Sequence, residues 1–293
     1  MGVRGLWGIM RPGMRQVPVS QLTGQRLAVD LSIWVVEVVN TQMHGVVTKP
    51  HLRHLFFRVA KLLELNVQLI FCVEGEAPAL KARVMAERKA ERFGESAAGQ
   101  KPAKTHRSRF RSTLKECTDL LDMLGVPWIQ SPGEAEAACA MLNQLGLVDG
   151  VITEDGDAFL YGARRVYKNF GCDAKKDLLI DVYEDHYLYE TLALNQEKLI
   201  ALGLFLGCDF CPDGIKGIGR KTAIKVMAAW PRHGCFARLK VSRQTVISFW
   251  SMNGFLVSPQ FYLGRGNGRV GVDIRPRVRN IFFGLESCFH NQF

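Results

Sequence analysis

Acidic residues in this chain stand where short apolar runs stop. Leu27-Ala28-Val29 runs into Asp30, Val67 to Val73 runs into Glu74, and Gly150 to Thr153 runs into Glu154-Asp155-Gly156-Asp157. Ser131-Pro132-Gly133-Glu134-Ala135-Glu136 adds two more carboxylates. Five or more such groups brought together would repel one another unless multivalent cations neutralised them. Hard oxygen donors in that number suit Mg²⁺ or Mn²⁺, not zinc. Two such ions roughly 3.5–4 Å apart would make the two-metal arrangement used for in-line displacement at phosphorus. Asp155-Gly156-Asp157 is not the start of an EF-hand loop, because the twelfth position would be Val166 where a glutamate is needed.

The elements that must position these groups can be read from periodicity. Short continuous apolar runs fit strands buried on both faces, and between them lie amphipathic segments of helical length, His51 to Leu65 and Glu134 to Leu145. Alternating β and α on this scale predicts an α/β fold with a mostly parallel central sheet flanked by helices. Ligand sites in such sheets lie outside the carboxyl ends of the strands, so three strands deliver carboxylates to one edge. Glu134 has a second reading. Ser131 followed by Glu134, with Pro132 as first helical residue, has the pattern of a capping box, and Glu136 is then an ordinary surface residue. Both carboxylates reach one site only if they sit in the first turn of their helix.

The 293 residues allow one large or two ordinary domains, and 38 Lys+Arg against 28 Asp+Glu give a formal charge of +10. That balance argues for an anionic partner, either nucleic acid or a membrane surface. Apolar runs are too short to span a bilayer, no secretory leader is visible, and Leu6 stands where N-myristoylation needs Ser or Thr, so nucleic acid leads. Residues 79 to 115 hold eleven Lys/Arg and three Glu. Ala79 to Phe93 is rich in helix formers, Gly94 to Ala103 breaks the pattern, and Arg107 onward leads into an amphipathic helix. The expectation is a basic, partly mobile insertion, against the alternative of a solvated helical face. An acidic metal site beneath a basic insertion points to phosphodiester hydrolysis. The eight cysteines are scattered and form no disulfide framework, which fits a reducing compartment; Cys208 and Cys211, with His233 and Cys235 downstream, have weak zinc-site spacing.

Leu199 to Phe210 is an apolar, helix-like stretch, followed by Gly214-Ile215-Lys216-Gly217-Ile218-Gly219-Arg220-Lys221-Thr222-Ala223. A Walker A loop is nearly imitated, but Arg220 separates Gly219 from the lysine and a helix precedes it. The pattern instead matches a hairpin between two helices that grips a nucleic-acid backbone. Gly217 and Gly219 permit the turn, the amides opening the helix at Arg220 meet a phosphate, and Lys216, Arg220, Lys221 and Lys225 add charge. Such a contact positions a duplex without reading its sequence.

With these motifs in order, the chain resembles the structure-specific 5′ nucleases of the flap endonuclease (XPG-type) family over about residues 1 to 235. The matching elements are Met1 to Trp7, Val29-Asp30-Leu31-Ser32, Glu74 to Pro78, Gly133 to Ala137, Thr153 to Asp157, and Leu206-Gly207-Cys208-Asp209 ahead of the hairpin. Within the family, Leu6-Trp7, Ser32-Ile33-Trp34, Glu74 in place of the second Asp, and Lys49 to Arg53 look most like the GEN-type Holliday junction resolvases. The resemblance implies a PIN-like nuclease core with a helical arch and a helix-two-turn-helix element. It implies metal-binding carboxylates at Asp30, Glu74, Glu134, Glu136, Asp155, Asp157 and Asp209, which displaces the zinc reading. Lys81 and Arg88 match the basic residues at the base of the arch that approach the scissile phosphate, and Gly2 would lie near the junction. Lys216, Gly217, Gly219, Arg220, Lys221, Thr222 and Lys225 match the DNA-binding hairpin, where backbone carbonyls also hold K⁺.

The implied organisation is an N-terminal nuclease region at 1–95, a mobile basic linker of the arch at 96–112, an internal nuclease region at 113–235 with the helix-two-turn-helix at 197–230, and an atypical tail at 236–293. Residues 241 to 293 carry six Gly, nine aromatics and six Arg without a helical period, and a truncated or alternatively spliced carboxyl end is the expectation there. The implied activity is Mg²⁺-dependent cutting of branched double-stranded DNA in the nucleus, with Mn²⁺ as a substitute and two copies making paired nicks on a four-way junction. A flap endonuclease or 5′ exonuclease, and a catalytically impaired junction-binding isoform, are the alternatives. No sliding-clamp-binding peptide of the Gln-x-x-apolar-x-x-aromatic-aromatic kind is found.

Overall fold

The computed structural model describes residues 2–39, 47–76, 81, 104–171 and 179–230. Arg88, most of the basic insertion and the whole of 231–293 lie outside the described residues. Seven strands, β1 (Met14–Pro18), β2 (Arg26–Asp30), β3 (Gln68–Val73), β4 (Trp128–Gln130), β5 (Gly150–Ile152), β6 (Arg165–Lys168) and β7 (Leu179–Glu184), form one sheet in the order β1-β7-β6-β5-β2-β3-β4. The pairs β2·β3, β3·β4, β2·β5 and β5·β6 are parallel, while β7 joins β6 and β1 antiparallel. The sheet is therefore mostly parallel, as the alternation of apolar runs and amphipathic segments predicts. From β2 the chain builds outward through β3 and β4, then returns to the other side of β2 with β5. That reversal opens a crevice at the carboxyl ends of β2 and β5, the usual ligand position in such sheets.

Helices cover both faces. On one side α2 (Leu31–Val39), α3 (Pro50–Glu64) and α4 (Lys104–Met123) enclose a core with Leu27, Val29, Leu69, Phe71 and Val73. On the other, α1 (Leu6–Met10), α5 (Ala135–Gln144), α6 (Asp157–Leu160), α7 (Asp185–Leu192), α8 (Gln196–Leu206) and α9 (Arg220–Ala229) contribute to a core with Ala28, Ile70, Cys72 and Val151. Alternate residues of β2 and β3 thus point to opposite cores, as the two-residue period of a strand requires. Phe71 is fully buried with the Trp34 ring edge-on at 5.5 Å, and truncating such a residue to Ala typically costs about 3–5 kcal/mol.

Three boundaries differ from the sequence reading. Helix α4 already begins at Lys104, so residues 104–112 are helical and not linker. Helix α8 ends at Leu206, where Gly207 takes φ +94°, so the helix-like run to Phe210 is broken by a backbone conformation that periodicity does not register. Helix α5 begins at Ala135 with Glu134 as its N-cap residue, so Ser131 and Pro132 stand before the helix and the capping box is not formed. The cause is attachment to the end of β3 and the residues after it: Ser131 N donates to Val73 O at 2.9 Å and Gly75 N to Gly133 O at 2.8 Å, which holds 131–133 in a bent, non-helical path. Among the described residues no helix is long and apolar enough to cross a membrane.

Candidate metal-dependent nuclease site

Each acidic residue is held by the element that delivers it. Asp30 ends β2, and its Oδ1 accepts from the Ser32 amide at 2.9 Å in the first turn of α2. Glu74 follows β3, and its Oε2 accepts from the Ala135 amide at 3.0 Å, at the positive end of α5. The approach that permits this is close: a Cβ at Gly75 would stand 3.0 Å from Gly133 O and closer still to Ser131 O. Glu134 and Glu136 occupy the N-cap and the first turn of α5, the one place where residues two apart reach a common point. After β5, Thr153 Oγ1 accepts from the Asp155 amide at 3.1 Å and Asp155 Oδ1 from the Asp157 amide at 3.0 Å, a tight turn that aims both aspartates the same way. Asp157 Oδ1 accepts from the Val3 amide at 2.9 Å. Gly2 therefore lies against the cluster: with φ +84°, a Cβ there would stand 2.9 Å from Asp157 Oδ1 and nearer to Asp155 Oδ1.

Lys81 lies in the middle of this set. Its Nζ pairs with Glu134 Oε1 and, at 3.1 Å, with Asp209 Oδ2. Burial works to lower the ammonium pKa, but Glu134, Glu136 and Asp209 more than reverse it, and the group is held charged. Lys81 by itself does not balance the cluster. Burial, followed by repulsion from Glu74, raises Asp30 to about 7, and burial followed by Asp155 raises Asp157 to about 7. Glu136 is pushed well above the ordinary carboxylate range by burial and then by Asp30 and Glu134. Burial also raises Glu74 and Asp155, each partly relieved by a backbone amide. Asp30, Glu74, Glu134, Glu136, Asp155, Asp157 and Asp209 thus share one electrostatic neighbourhood.

Among the described residues no three His, Cys, Asp or Glu side chains are arranged to hold an ion between them. The donor chemistry nevertheless fits hard divalent cations, since among the described residues Lys81 pairs with only two of these seven carboxylates and the charge left over is what Mg²⁺ would relieve. Cys208 and Cys211 are free thiols whose backbones pair reciprocally at 3.0 and 3.1 Å across the turn carrying Asp209. His233 and Cys235 lie outside the described residues.

Beside the cluster stands the helix pair α8 and α9. Lys216, Gly217, Gly219, Lys221, Thr222 and Lys225 are all exposed, and Gly217 takes φ +83°. Gly219 is the N-cap of α9 without a side-chain cap, so the amides opening this ten-residue helix face outward. Arg220 is exposed but turns back over α1: a Cβ at Gly8 would lie 2.8 Å from its Nη1.

Three contacts were not anticipated. Tyr161 donates its hydroxyl to Glu134 Oε2 at 2.6 Å; its position four residues after Asp157 was the available clue. Trp7 Nε1 donates to Glu154 O at 2.9 Å, pinning the segment ahead of Asp155. Lys198, 2% exposed, donates to Met227 O at 2.8 Å and Trp230 O at 3.2 Å, satisfying carbonyls at the end of α9. A lysine at the head of an apolar run carries no local signal of that role.

With this geometry established, comparison with known proteins is decisive. The XPG N-terminal domain model matches residues 1–95 and the XPG I-region model matches residues 125–209. The chain belongs to the XPG family. Its family relatives include the mouse protein "Flap endonuclease GEN homolog 1", 46% identical over 228 residues, which covers 78% of this chain and 25% of the relative. "Flap endonuclease GEN" of Drosophila melanogaster is 41% identical over 240 residues, covering 77% of this chain and 33% of the relative. This XPG-family chain thus spans between a quarter and a third of the length of these relatives. Human GEN1, solved in complex with Holliday junction DNA, superposes with a TM-score of 0.70 at 35% identity, over 96% of this chain and 66% of that one. The catalytic core of Rad2 in complex with DNA substrate superposes with a TM-score of 0.66 at 27% identity, over 97% and 94%. The sheet and its helices are those of the PIN-like XPG nuclease cores.

Proposed function

We propose that this chain is the nuclease core of a Mg²⁺-dependent, structure-specific endonuclease that cuts one strand of branched DNA near the junction, leaving 5′-phosphate and 3′-hydroxyl ends. Four-way junctions, 5′ flaps and replication forks are its substrate class, and DNA repair and recombination in the nucleus its setting. The observation that carries the reading is a group of buried, mutually repelling carboxylates at the carboxyl edge of the sheet, two of which, Glu134 and Asp209, pair with Lys81, beside an exposed basic hairpin. Asp30, Glu74, Glu134, Glu136, Asp155, Asp157 and Asp209 would hold two Mg²⁺, or Mn²⁺ in their place. Bound there, the ions supply Lewis acidity at the scissile phosphate and lower the pKa of the attacking water.

The chain's own groups do the rest. Lys81, held by Glu134 and Asp209, would donate to the non-bridging oxygens of the phosphate, where charge accumulates in the transition state. Arg88 is assigned the same work. Gly2 keeps the space beside Asp155 and Asp157 open for the DNA. Lys216, Lys221, Thr222 and Lys225, with the amides at the head of α9, grip the duplex backbone away from the cut. Backbone carbonyls of this hairpin would hold K⁺ against a phosphate. Two copies assembling on a four-way junction would make paired nicks.

Labelled nicked, 5′-flap, fork and four-way substrates, tested together in Mg²⁺ at one fixed salt concentration, decide the matter. Cleavage near the branch of the flap and four-way substrates, abolished by Asp155→Asn, is expected. Cutting of the flap alone would make it a flap endonuclease. Junction binding without any cleavage in Mg²⁺ or Mn²⁺ would leave a DNA-binding protein that competes for junctions.

A further inference from the structure

We infer that Tyr161 is a positioning residue of the metal site, its hydroxyl fixing one oxygen of Glu134 so that the other is presented to the centre of the carboxylate cluster. The inference rests on the reading of Glu134 as a metal ligand. Glu134 has a different partner on each oxygen: Tyr161 on Oε2 at 2.6 Å and Lys81 on Oε1. Rotation of the carboxylate breaks both contacts, so the pair sets its plane. The carboxylate is 4% exposed and Tyr161 is 7% exposed, so water does not readily replace the hydroxyl.

Tyr161 is itself anchored. Its amide donates to Asp157 O at 3.0 Å, and the preceding carbonyl, Leu160 O, accepts from Gln196 Nε2 at 2.9 Å. The residue therefore joins the short helix opened by Asp157, which follows β5, to the head of α5, which follows β4. These two acid-bearing segments are far apart in sequence, and the hydroxyl ties one directly to the other. A phenylalanine would fill the same volume, so packing alone does not call for a hydroxyl. In this contact the Tyr161 hydroxyl is the donor and Glu134 Oε2 the acceptor. Hydrogen bonds of this kind to ligating carboxylates are worth about 10–100-fold in metal affinity.

The test is Tyr161→Phe in the full chain, with Mg²⁺ binding measured by calorimetry on DNA-free protein and the Mg²⁺ midpoint of junction cleavage measured alongside. Dissociation constant and midpoint should both rise about tenfold, with the rate at saturating Mg²⁺ within threefold of the parent. A folded Tyr161→Phe protein with the parental affinity and midpoint overturns the inference. In a Glu134→Gln background, adding Tyr161→Phe should change the affinity less than twofold; a full further loss means Tyr161 acts elsewhere and also overturns it. 3-Fluorotyrosine placed at position 161 keeps the hydroxyl, and its ¹⁹F resonance should shift as Mg²⁺ binds; an unmoved resonance in a protein that does bind Mg²⁺ counts against the assignment even if the Phe variant fails to fold. A parent that binds no Mg²⁺ but still cuts DNA removes the metal-site reading itself, and the inference with it.

Discussion

Gly2→Ala is the sharpest single test of the site. Gly2 takes φ +84°, and a Cβ there would stand 2.9 Å from Asp157 Oδ1 and inside any ordinary contact with Asp155 Oδ1. The left-handed backbone costs an L-residue about 1–2 kcal/mol. A relaxed C···O contact needs about 3.3 Å or more, so the two carboxylates must retreat by roughly half an ångström to one ångström, or the 2–3 segment must lift and lose the Val3–Asp157 hydrogen bond. Misplacement on the order of 1 Å at a reacting centre costs about 10²-fold. Single-turnover cleavage of a 5′-flap and a four-way substrate in saturating Mg²⁺ should therefore fall about a hundredfold. The thermal midpoint should fall only a few degrees, at about 2–4 °C per kcal/mol for a domain of this size. Mass spectrometry should confirm the same amino terminus in both proteins. A folded Gly2→Ala protein that cuts within threefold of the parent would refute the placement of Gly2 against Asp155 and Asp157.

Three further outcomes follow from the same geometry. Lys81→Ala should lower single-turnover cleavage about 10²–10³-fold, the range for a missing transition-state donor, while junction affinity in Ca²⁺, read by fluorescence anisotropy, changes less than threefold; a large loss of affinity instead would make Lys81 a binding residue. Lys198→Met removes two charge-assisted bonds to the end of α9 and should cost about 2–3 kcal/mol, seen as a thermal midpoint lower by roughly 4–12 °C; an unchanged midpoint would contradict the capping role. Lys216→Ala with Lys221→Ala should weaken binding to all branched substrates alike and flatten the dependence of log K on log salt by roughly 0.9 for each phosphate that is no longer neutralised; a weakening confined to one junction type would mean the hairpin reads branch geometry.

The order of these elements was legible because strand burial and carboxylate type are local. Leu27 to Val29, Leu69 to Val73 and Gly150 to Ile152 are apolar because helices cover both faces of the sheet, and each is followed by an acid that marks its carboxyl end. The parallel sheet and its acid-bearing edge follow from that pattern. The helix starts and stops were less legible. Ser131, Pro132 and Glu134 have the residue types of a capping box, yet hydrogen bonds with Val73 and Gly75 hold 131–133 out of the helix and move the start of α5 to Ala135. The apolar run through Phe210 reads as helix, yet α8 stops at Leu206, where a Cβ on Gly207 would lie 2.5 Å from Pro212 O. In both places a contact with a distant or returning segment overrides local preference.

Sequence alone determined which groups are available: carboxylates at strand ends, glycines where backbone must turn, and lysines at the head of a helix. Those depend on residue chemistry and on periods of two and 3.6 residues, both written along the chain. Only the tertiary structure decided how these groups meet. Lys81 stands between Glu134 and Asp209, Gly2 lies against Asp155 and Asp157, Tyr161 orients Glu134, and Lys198 closes α9. Each of these joins residues separated by tens of positions or more. Their energies depend on burial and on distances of a few ångströms, which are set when the strands β2, β3 and β5 come side by side and the loops beyond them share one edge.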